Sequence, residues 1–397
     1  MSDIKYQSFG SLLKNVVDNR GKTCPVVDKG IPLIATNCVT NDYLYPQFEK
    51  VRYVNEDIYK NWFRGHPLSG DMIFVLKGTP GRVAWTPNPV GFCIAQDMVA
   101  IRADENKVYP KYLFAVLRSS TIQQEIEGLH VGSLISHFKK GDFHDLQIPI
   151  VKPDLQKFIG NQYFDISLKI DLLHRQNKTL EAMAETLFKQ WFIIEARDDW
   201  EIKPLGEFVK VIDNRGKTPP YQDISTPYPI IEVNALTGKN RLVDYSAIRK
   251  YVSEETFNTW FRGHPKKFDS LISTVGSIGE ISMFLVEKGC IAQNVIALSA
   301  INISPIYLFE FLKNAKDEIK ELDIGSVQPS IKVPHLLSIK ITVPPVEKIE
   351  LFDNQVKSYL EKMLVNNNQI QTLEKVRDEL LPKLMSGEVR VKLTNEK

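Results

Sequence analysis

The sequence predicts an α/β (α+β) protein: two tandem domains of similar build with mixed β-structure, separated by two long helices that pair as an antiparallel coiled coil. Three observations carry this expectation. A six-residue string occurs twice, short strand-like runs alternate with Gly and Pro turns, and two long stretches space their apolar residues by four and three.

The repeat comes first. Asp18-Asn19-Arg20-Gly21-Lys22-Thr23 returns unchanged as Asp213-Asn214-Arg215-Gly216-Lys217-Thr218. Trp62-Phe63-Arg64-Gly65-His66-Pro67 returns as Trp260-Phe261-Arg262-Gly263-His264-Pro265, and Cys93-Ile94-Ala95-Gln96 as Cys290-Ile291-Ala292-Gln293. Gly78-x-x-Gly81 is answered by Gly276-x-x-Gly279. An offset of about 195 residues is far longer than a solenoid repeat, so the chain is a duplicated domain and not an array.

Within each unit the strand-like runs are Ile31 to Ala35, Met72 to Leu76 and Met98 to Arg102, then Ile230 to Val233, Ser270 to Val275 and Val295 to Ser299. A helix starts near Pro110 and near Pro305, and extended stretches follow at Leu146 to Val151 and Ile339 to Val343. Pro153 and Pro345 then suit the first turn of a long helix, because a missing N–H costs nothing there. The expected boundaries are 1–151 and 198–344 for the two heads, 152–197 for the first helix, and 345–397 for the second helix and tail.

On the first helix the seam runs through Ile166, Ile170, Leu173, Asn177, Leu180 and Leu187. On the second it runs through Tyr359, Met363, Asn366, Ile370, Leu373 and Leu380. A 3.5-residue period over several heptads is a coiled-coil pattern, and a single Asn on each seam is the residue that fixes register. The competing reading is an amphipathic helix packed on its own domain. About 35 to 40 residues make a helix of roughly 50 to 60 Å. The first helix leads from one head to the next and the second returns, so the pair is expected to be an antiparallel rod with a head at each end.

Composition narrows the classes. A net charge of +2 means that any nucleic-acid surface must come from clustering. Four cysteines without a C-x-x-C pair argue against structural zinc and for a reducing, cytoplasmic setting. No signal peptide is indicated, and no apolar run approaches the roughly 20 residues of a membrane span.

A rod with two similar heads suits duplex DNA, whose grooves repeat about every 34 to 36 Å. Arg20, Lys22 and Thr23, with Arg215, Lys217 and Thr218, flank a Gly where a turn can meet a phosphate. Arg64 and His66, with Arg262 and His264, follow a Trp-Phe pair that anchors their loop. Arg can pair with guanine, and Gln96 or Gln293 with adenine. Lys139-Lys140 and Lys266-Lys267 can add phosphate contacts. Residues identical in both heads equally suit a shared fold, whereas readers of different bases should differ. The divergent loops are therefore the better sequence readers: Lys77 through Arg82 and Trp85, Leu134 to Lys140, Val275 to Glu280, and Val327 to Lys332.

Enzyme readings fail on residues. Arg-Gly-Lys-Thr ends like a P-loop, but Val16 and Val211 stand where that loop needs Gly. Thr218-Pro219-Pro220-Tyr221 resembles a methyltransferase tetrapeptide, yet head one has Thr23-Cys24-Pro25-Val26 there and no Gly-rich cofactor loop lies upstream. The seven histidines form no helical H-x-x-x-H pair, and no Gly-x-Ser-x-Gly occurs. No catalytic residue and no metal site is expected.

Over nearly its full length the chain resembles type I restriction–modification specificity subunits, in the order head, helix, head, helix. Thr274-Val275-Gly276-Ser277-Ile278-Gly279 looks like that family's strand and Gly turn, Gly325-Ser326-Val327-Gln328 like its Gly-Ser/Thr-x-Gln segment, and Thr372 through Glu388 like its usual helix end. Head one departs from the pattern with Pro80 in its turn and Ser136 in place of the Gln. The resemblance adds Ser277, Ser326 and Gln328 to the DNA-facing candidates. It implies that each head reads half of a split double-stranded DNA site, with the helices setting the gap. It also implies docking of two modification (methyltransferase) subunits that carry S-adenosylmethionine, and a restriction and translocase subunit in the full complex. The outer helix faces would then be partner surfaces; as a plain solvated face they would bear Lys178, Glu181 and Glu185. Alternatives are a protein-interaction scaffold with two binding heads, or a recognition module of a methyltransferase or nuclease outside the type I class.

Overall fold

The computed structural model describes residues 5–19, 21, 23–129, 137–214, 216, 218–238, 240–325, 327–386 and 388. Their contacts gather into two units, residues 1–173 with 370–397 and residues 174–369.

In the first unit β1 (Lys5–Ser8), β2 (Leu13–Val17), β3 (Ile31–Ile34) and β4 (Arg52–Val54) precede α1 (Glu56–Asn61). Then come β5 (Met72–Val75), β6 (Val83–Trp85), β7 (Cys93–Ile94), β8 (Met98–Ala103), α2 (Pro110–Leu117), α3 (Ser120–Gly128) and β9 (Gln147–Ile150), before the long α4 (Pro153–Lys189). The main sheet has the order β2-β8-β5-β6, a smaller one β4-β3-β7, and β1 pairs β9 antiparallel. The β3–β7 pairing is parallel, Leu33 to Cys93 and Ile34 to Ile94.

The second unit repeats the plan. It runs through β10 (Glu201–Pro204), β11 (Val209–Asp213), β12 (Ile230–Ile231), α5 (Glu254–Thr259), β13 (Ser270–Ser273), β14 (Ile281–Met283), β15 (Cys290–Ile291) and β16 (Val295–Ala300). α6 (Pro305–Asn314), α7 (Lys316–Glu321), α8 (Val333–Leu337), β17 (Lys340–Val343) and α9 (Val346–Ser386) follow. Its main sheet is β11-β16-β13-β14, and β12 pairs β15 in parallel.

Period-two alternation explains why these strands read as unbroken apolar runs. Met72 and Phe74 point into the core under the long helices, and Ile73 and Val75 into a second core on the other face. In head two Ile272, Ile296 and Leu298 face the helices, whereas Leu271, Val295 and Ala297 face away. Pro110 and Pro305 occupy the first turn of α2 and α6, as expected.

Each long helix serves both units. In the first, Ile166, Ile170 and Leu173 pack on Ile370 and Leu373, and Arg377 lies over Tyr163. In the second, Asn177 meets Asn366 and Phe188 meets Phe352. Rising numbers on α4 meet falling numbers on α9 within each unit, so the pair is antiparallel. The seam does not stay a bare coil. Leu380, Leu381 and Leu384 enter the core of head one, while Leu180, Leu187, Tyr359 and Met363 join that of head two. Both readings weighed for these helices therefore hold along different stretches.

Charge reinforces the attachment. In head two Arg241 is fully buried against Glu310 of α6, Glu181 and Glu185 of α4. Burial pushes the Glu310 carboxyl up to about 7 against the pull of Arg241. Glu181 and Glu185 are thus not a merely solvated face: they hold a buried cation, whose uncompensated exposure to the core would cost about 3–5 kcal/mol. In head one Arg118, just after α2, is buried and donates instead to the backbone oxygens of Thr40, Tyr43 and Val83.

The two seam asparagines meet. Asn366 Nδ2 donates to Asn177 Oδ1 at 2.7 Å and to Gln176 Oε1 at 2.9 Å, and Asn177 Nδ2 donates to Asn367 Oδ1 at 2.8 Å. Asn240 donates to the same Asn367 oxygen at 2.9 Å, which ties the head's loop to the helices. Asn366→Leu strands the buried Asn177 carbonyl and is expected to cost about 1–3 kcal/mol. Combining it with Asn177→Leu should restore much of that loss, read as melting temperature by circular dichroism. Equal loss in both variants would show that the pair's mutual bond is not the reason.

Candidate nucleic-acid interface

Three duplicated motifs converge in space on one buried side chain. Asn19, only 3% exposed, donates through Nδ2 to the backbone oxygens of Gly65 and Ile94, both at 3.0 Å, and accepts from the Arg64 N–H at 2.9 Å. Asn214 repeats this, donating to Gly263 O at 3.0 Å and accepting from Arg262 N–H at 2.9 Å. The Asn of Asp-Asn-Arg-Gly-Lys-Thr is therefore a tie that holds the Trp-Phe-Arg-Gly-His-Pro loop and, in head one, β7.

The loop's own geometry follows. Phe63 and Trp62 sit edge-to-face at 4.8 Å and pack into a small cluster with Leu33 and Cys93. His66 stacks on Tyr59 with centroids 3.8 Å apart, and its Nε2–H donates to Tyr59 O at 2.8 Å; His264 does the same on Phe257, at 3.7 and 2.8 Å. Burial lowers both imidazole pKa values. The neutral ring is thus the folded form, whose contribution is full above the ordinary value of 6.5 and fades as pH falls below it. These half-buried rings, expected to face DNA, have one face and Nε2 taken by Tyr59 and Phe257. Cys93 and Cys290, at matching strand positions, are buried thiols pushed up to about 12, which makes them inert packing residues.

What the tie leaves outside is polar. Arg64 and Arg262 are exposed, their guanidinium groups lying beside Gly21 and Gly216, and Arg64 makes a long 3.5 Å approach to Asp18 O. Gln96 and Gln293 are exposed at the turn after β7 and β15, and Thr23 and Thr218 are exposed as well. Arg20, Lys22, Arg215, Lys217 and Ser326 lie outside the described residues, as do residues 134–136 of the expected loop.

The Gln turn links this spot to a second one. Leu76 N–H and Lys77 N–H both reach Asp97 O, and Thr274 N–H reaches Asn294 O at 2.9 Å. Lys77 bridges His137, and Val275 bridges Ser330. The duplicated glycines make these turns possible: Gly78, Gly81, Gly276 and Gly279 have φ between 70° and 89°, a region where a Cβ is strained. In head one this second spot carries exposed Lys77, Lys139 and Lys140, with Arg82 half-buried. In head two it carries exposed Ser277 and Gln328, and Gly276 N–H bonds Pro329 O at 3.0 Å. Lys266 and Lys267 are exposed after the His-Pro turn. Each head therefore presents one continuous edge from the Arg loop through the Gln turn to the Gly turn.

Head two holds a cleft of about 370 Å³ beside that edge, lined among others by Thr218, Tyr221, Glu232, Asn234, Lys250 and Gln293. Lys250 Nζ bonds Glu232 Oε1 at 2.8 Å and lies 5.0 Å from the Tyr221 ring centre. Tyr221 stood in the sequence only as the end of a methyltransferase-like tetrapeptide, and nothing marked Glu232 or Lys250, whose segments meet through the isolated bridges of Tyr251 with Gln222 and Pro229, while Gln293 joins them across the parallel β12–β15 pairing.

Comparison with known proteins agrees with this layout. A family model described as the type I restriction modification DNA specificity domain matches residues 18–182 and again residues 197–377. The chain is 26% identical over 339 residues to the type I restriction enzyme MjaIX specificity subunit of Methanocaldococcus jannaschii, covering 76% of each chain. It is 20% identical over 473 aligned positions to the type I restriction enzyme HindI specificity subunit of Haemophilus influenzae, covering 98% and 100%. The fold is shared with a crystal structure of the type I restriction–modification system S subunit from M. genitalium, at a TM-score of 0.59, 17% identity and 97% coverage of each chain.

The two kinds of residue at the edge should separate experimentally. Asn19→Ala leaves buried backbone groups unpaired and is expected to lower stability by about 1–3 kcal/mol or more. Arg64→Ala should leave the unfolding midpoint in place while weakening duplex binding and flattening its salt dependence by about one charge. Denaturant melts and binding titrations at several salt concentrations check this; destabilisation by Arg64→Ala would reverse the assignment.

Proposed function

Because the chain belongs to the type I restriction–modification DNA specificity family, we propose that its two heads each read one half of a split, asymmetric duplex site. The long helices act as the spacer between the halves. The observation that carries this reading is the edge built twice over by Asn19 and Asn214, identical in its frame and in the Arg and Gln it displays and different at the Gly turn beside it. A common frame suits backbone positioning, which is alike for every sequence, and the divergent turns suit base readout, which is not.

In this reading Arg64 and Arg262, with the basic residues flanking Gly21 and Gly216, position the phosphate backbone. Gln96 and Gln293 reach base edges. Lys77, Arg82, Lys139 and Lys140 in head one, and Ser277, Ser326 and Gln328 in head two, supply the differences between half-sites. The subunit contributes recognition and no chemistry. Methyl transfer belongs to two modification subunits carrying S-adenosylmethionine, and cleavage to a further restriction and translocase subunit. Apolar side chains exposed on the helices, Leu172 and Met183 on α4 and Leu351 and Val365 on α9, favour docking of such partners there over a purely solvated rod.

Co-expression with a modification subunit followed by methylation mapping of random-sequence DNA tests the proposal. Methyl marks should fall within one split motif. Replacing residues 1–150 with the matching part of another such subunit should change one half of that motif and leave the other. Marks without a split motif, or a swap that alters both halves, would contradict it.

A further inference from the structure

Matched by strand register, the cleft of head two differs from its counterpart in head one at the positions that give it chemistry. Tyr221 precedes Gln222, which bridges Tyr251; Val26 precedes Val27, which bridges Tyr53. Lys250 precedes Tyr251 as Arg52 precedes Tyr53, and Glu232 follows Ile231 as Ala35 follows Ile34. Head one thus has Val26, Arg52 and Ala35 where head two has Tyr221, Lys250 and Glu232. Around these, Thr218, Asn234 and Gln293 match Thr23, Asn37 and Gln96. The polar frame is common to both heads; the aromatic ring and the Lys–Glu pair belong to head two alone.

The charge state of the cleft decides what it can hold. A phosphate-positioning pocket needs an uncompensated cation. Here Lys250 is bonded to Glu232 at 2.8 Å, each side chain about one-third exposed, so the pair is locally neutral. What remains is a carboxylate that can accept from an exocyclic amine, the Gln293 and Asn234 amides that can donate and accept, and a half-exposed aromatic face at Tyr221. That set recognises an uncharged, flat group with both donors and acceptors. Carboxylates accept from cytosine N4, and Gln pairs with adenine N6 and N7.

Resting on the split-site reading, we propose that this cleft is a specificity subsite of head two alone, taking one nucleobase edge with an exocyclic amine, adenine or cytosine, in the second half-site. Glu232 accepts from the amine, Lys250 holds the carboxylate in place, Gln293 pairs alongside it, and Tyr221 covers the base or its neighbour. The corresponding place in head one, with Ala35 and Val26, makes no such demand.

The test converts the cleft toward head one in the complex with its modification subunit, using Tyr221→Val with Glu232→Ala, and maps methylation. The expected result is loss of the requirement at one position of the second half-motif, with methylation of the native site slowed by roughly tenfold or more and the first half-motif unchanged. A native motif at the native rate overturns the subsite while leaving the split-site reading intact. Absence of any split motif with the unaltered subunit overturns that reading itself. Should the double variant lose all methylation, Tyr221→Val alone decides, since that ring is half exposed. Unchanged preference and rate at every position of the second half refutes the subsite; a relaxed or altered preference at one position supports it.

Discussion

Neither head closes its core from its own strands and short helices, and the two long helices are what close it. Head one needs Leu381 and Leu384, more than 200 residues beyond its last strand, and head two needs Ala184, Phe188 and Phe192 from before its first strand. Each apolar side chain so buried contributes roughly 1.5–3 kcal/mol, so a head without both helices would lack a large part of its stability. The helices are therefore structural walls of the heads as well as connectors. That dual duty sets where the seam is bare, where it widens into aromatic packing, and where ionic clamps such as Arg241 with Glu181 and Glu185 are placed.

A second constraint works at the exposed edge. A surface that offers Arg, Gln and Lys side chains to a ligand needs its backbone held in place, and here one buried Asn per head supplies the hold. Asn19 and Asn214 spend both ends of the amide on main-chain partners and leave the neighbouring Arg64 and Arg262 side chains outside. Residues identical in the two heads thus divide into those that build the frame, such as Asn19, His66 and Gly78, and those the frame displays, such as Arg64 and Gln96.

Much of this architecture was legible in the sequence because duplication and heptad spacing are strong, local patterns. Ile170, Leu173, Asn177, Asn366 and Ile370 lie on the seam where their spacing puts them, and the strands at Met72, Met98, Ser270 and Val295 form as expected. Less legible were β2 and β11: Leu13-Lys14-Asn15-Val16-Val17 has no alternation of its own and becomes a strand only by pairing with β8. His66 illustrates a different limit. A histidine after Arg-Gly reads as a phosphate contact, and the sequence does not show that its ring also stacks on Tyr59 seven residues earlier. The cleft of head two was hidden for the same reason as the β12–β15 pairing: its walls come from segments far apart in the chain.

The central claim is that the edge organised by Asn19 and Asn214 meets DNA, one half-site per head. It is tested most directly by placing a photocrosslinking amino acid at position 96 or 293 and mapping the crosslinked nucleotide in the assembled complex on its target duplex. The account predicts crosslinks from position 96 confined to one half of the site and from position 293 confined to the other. Crosslinks from both positions to the same half, or none to DNA at all, would contradict it.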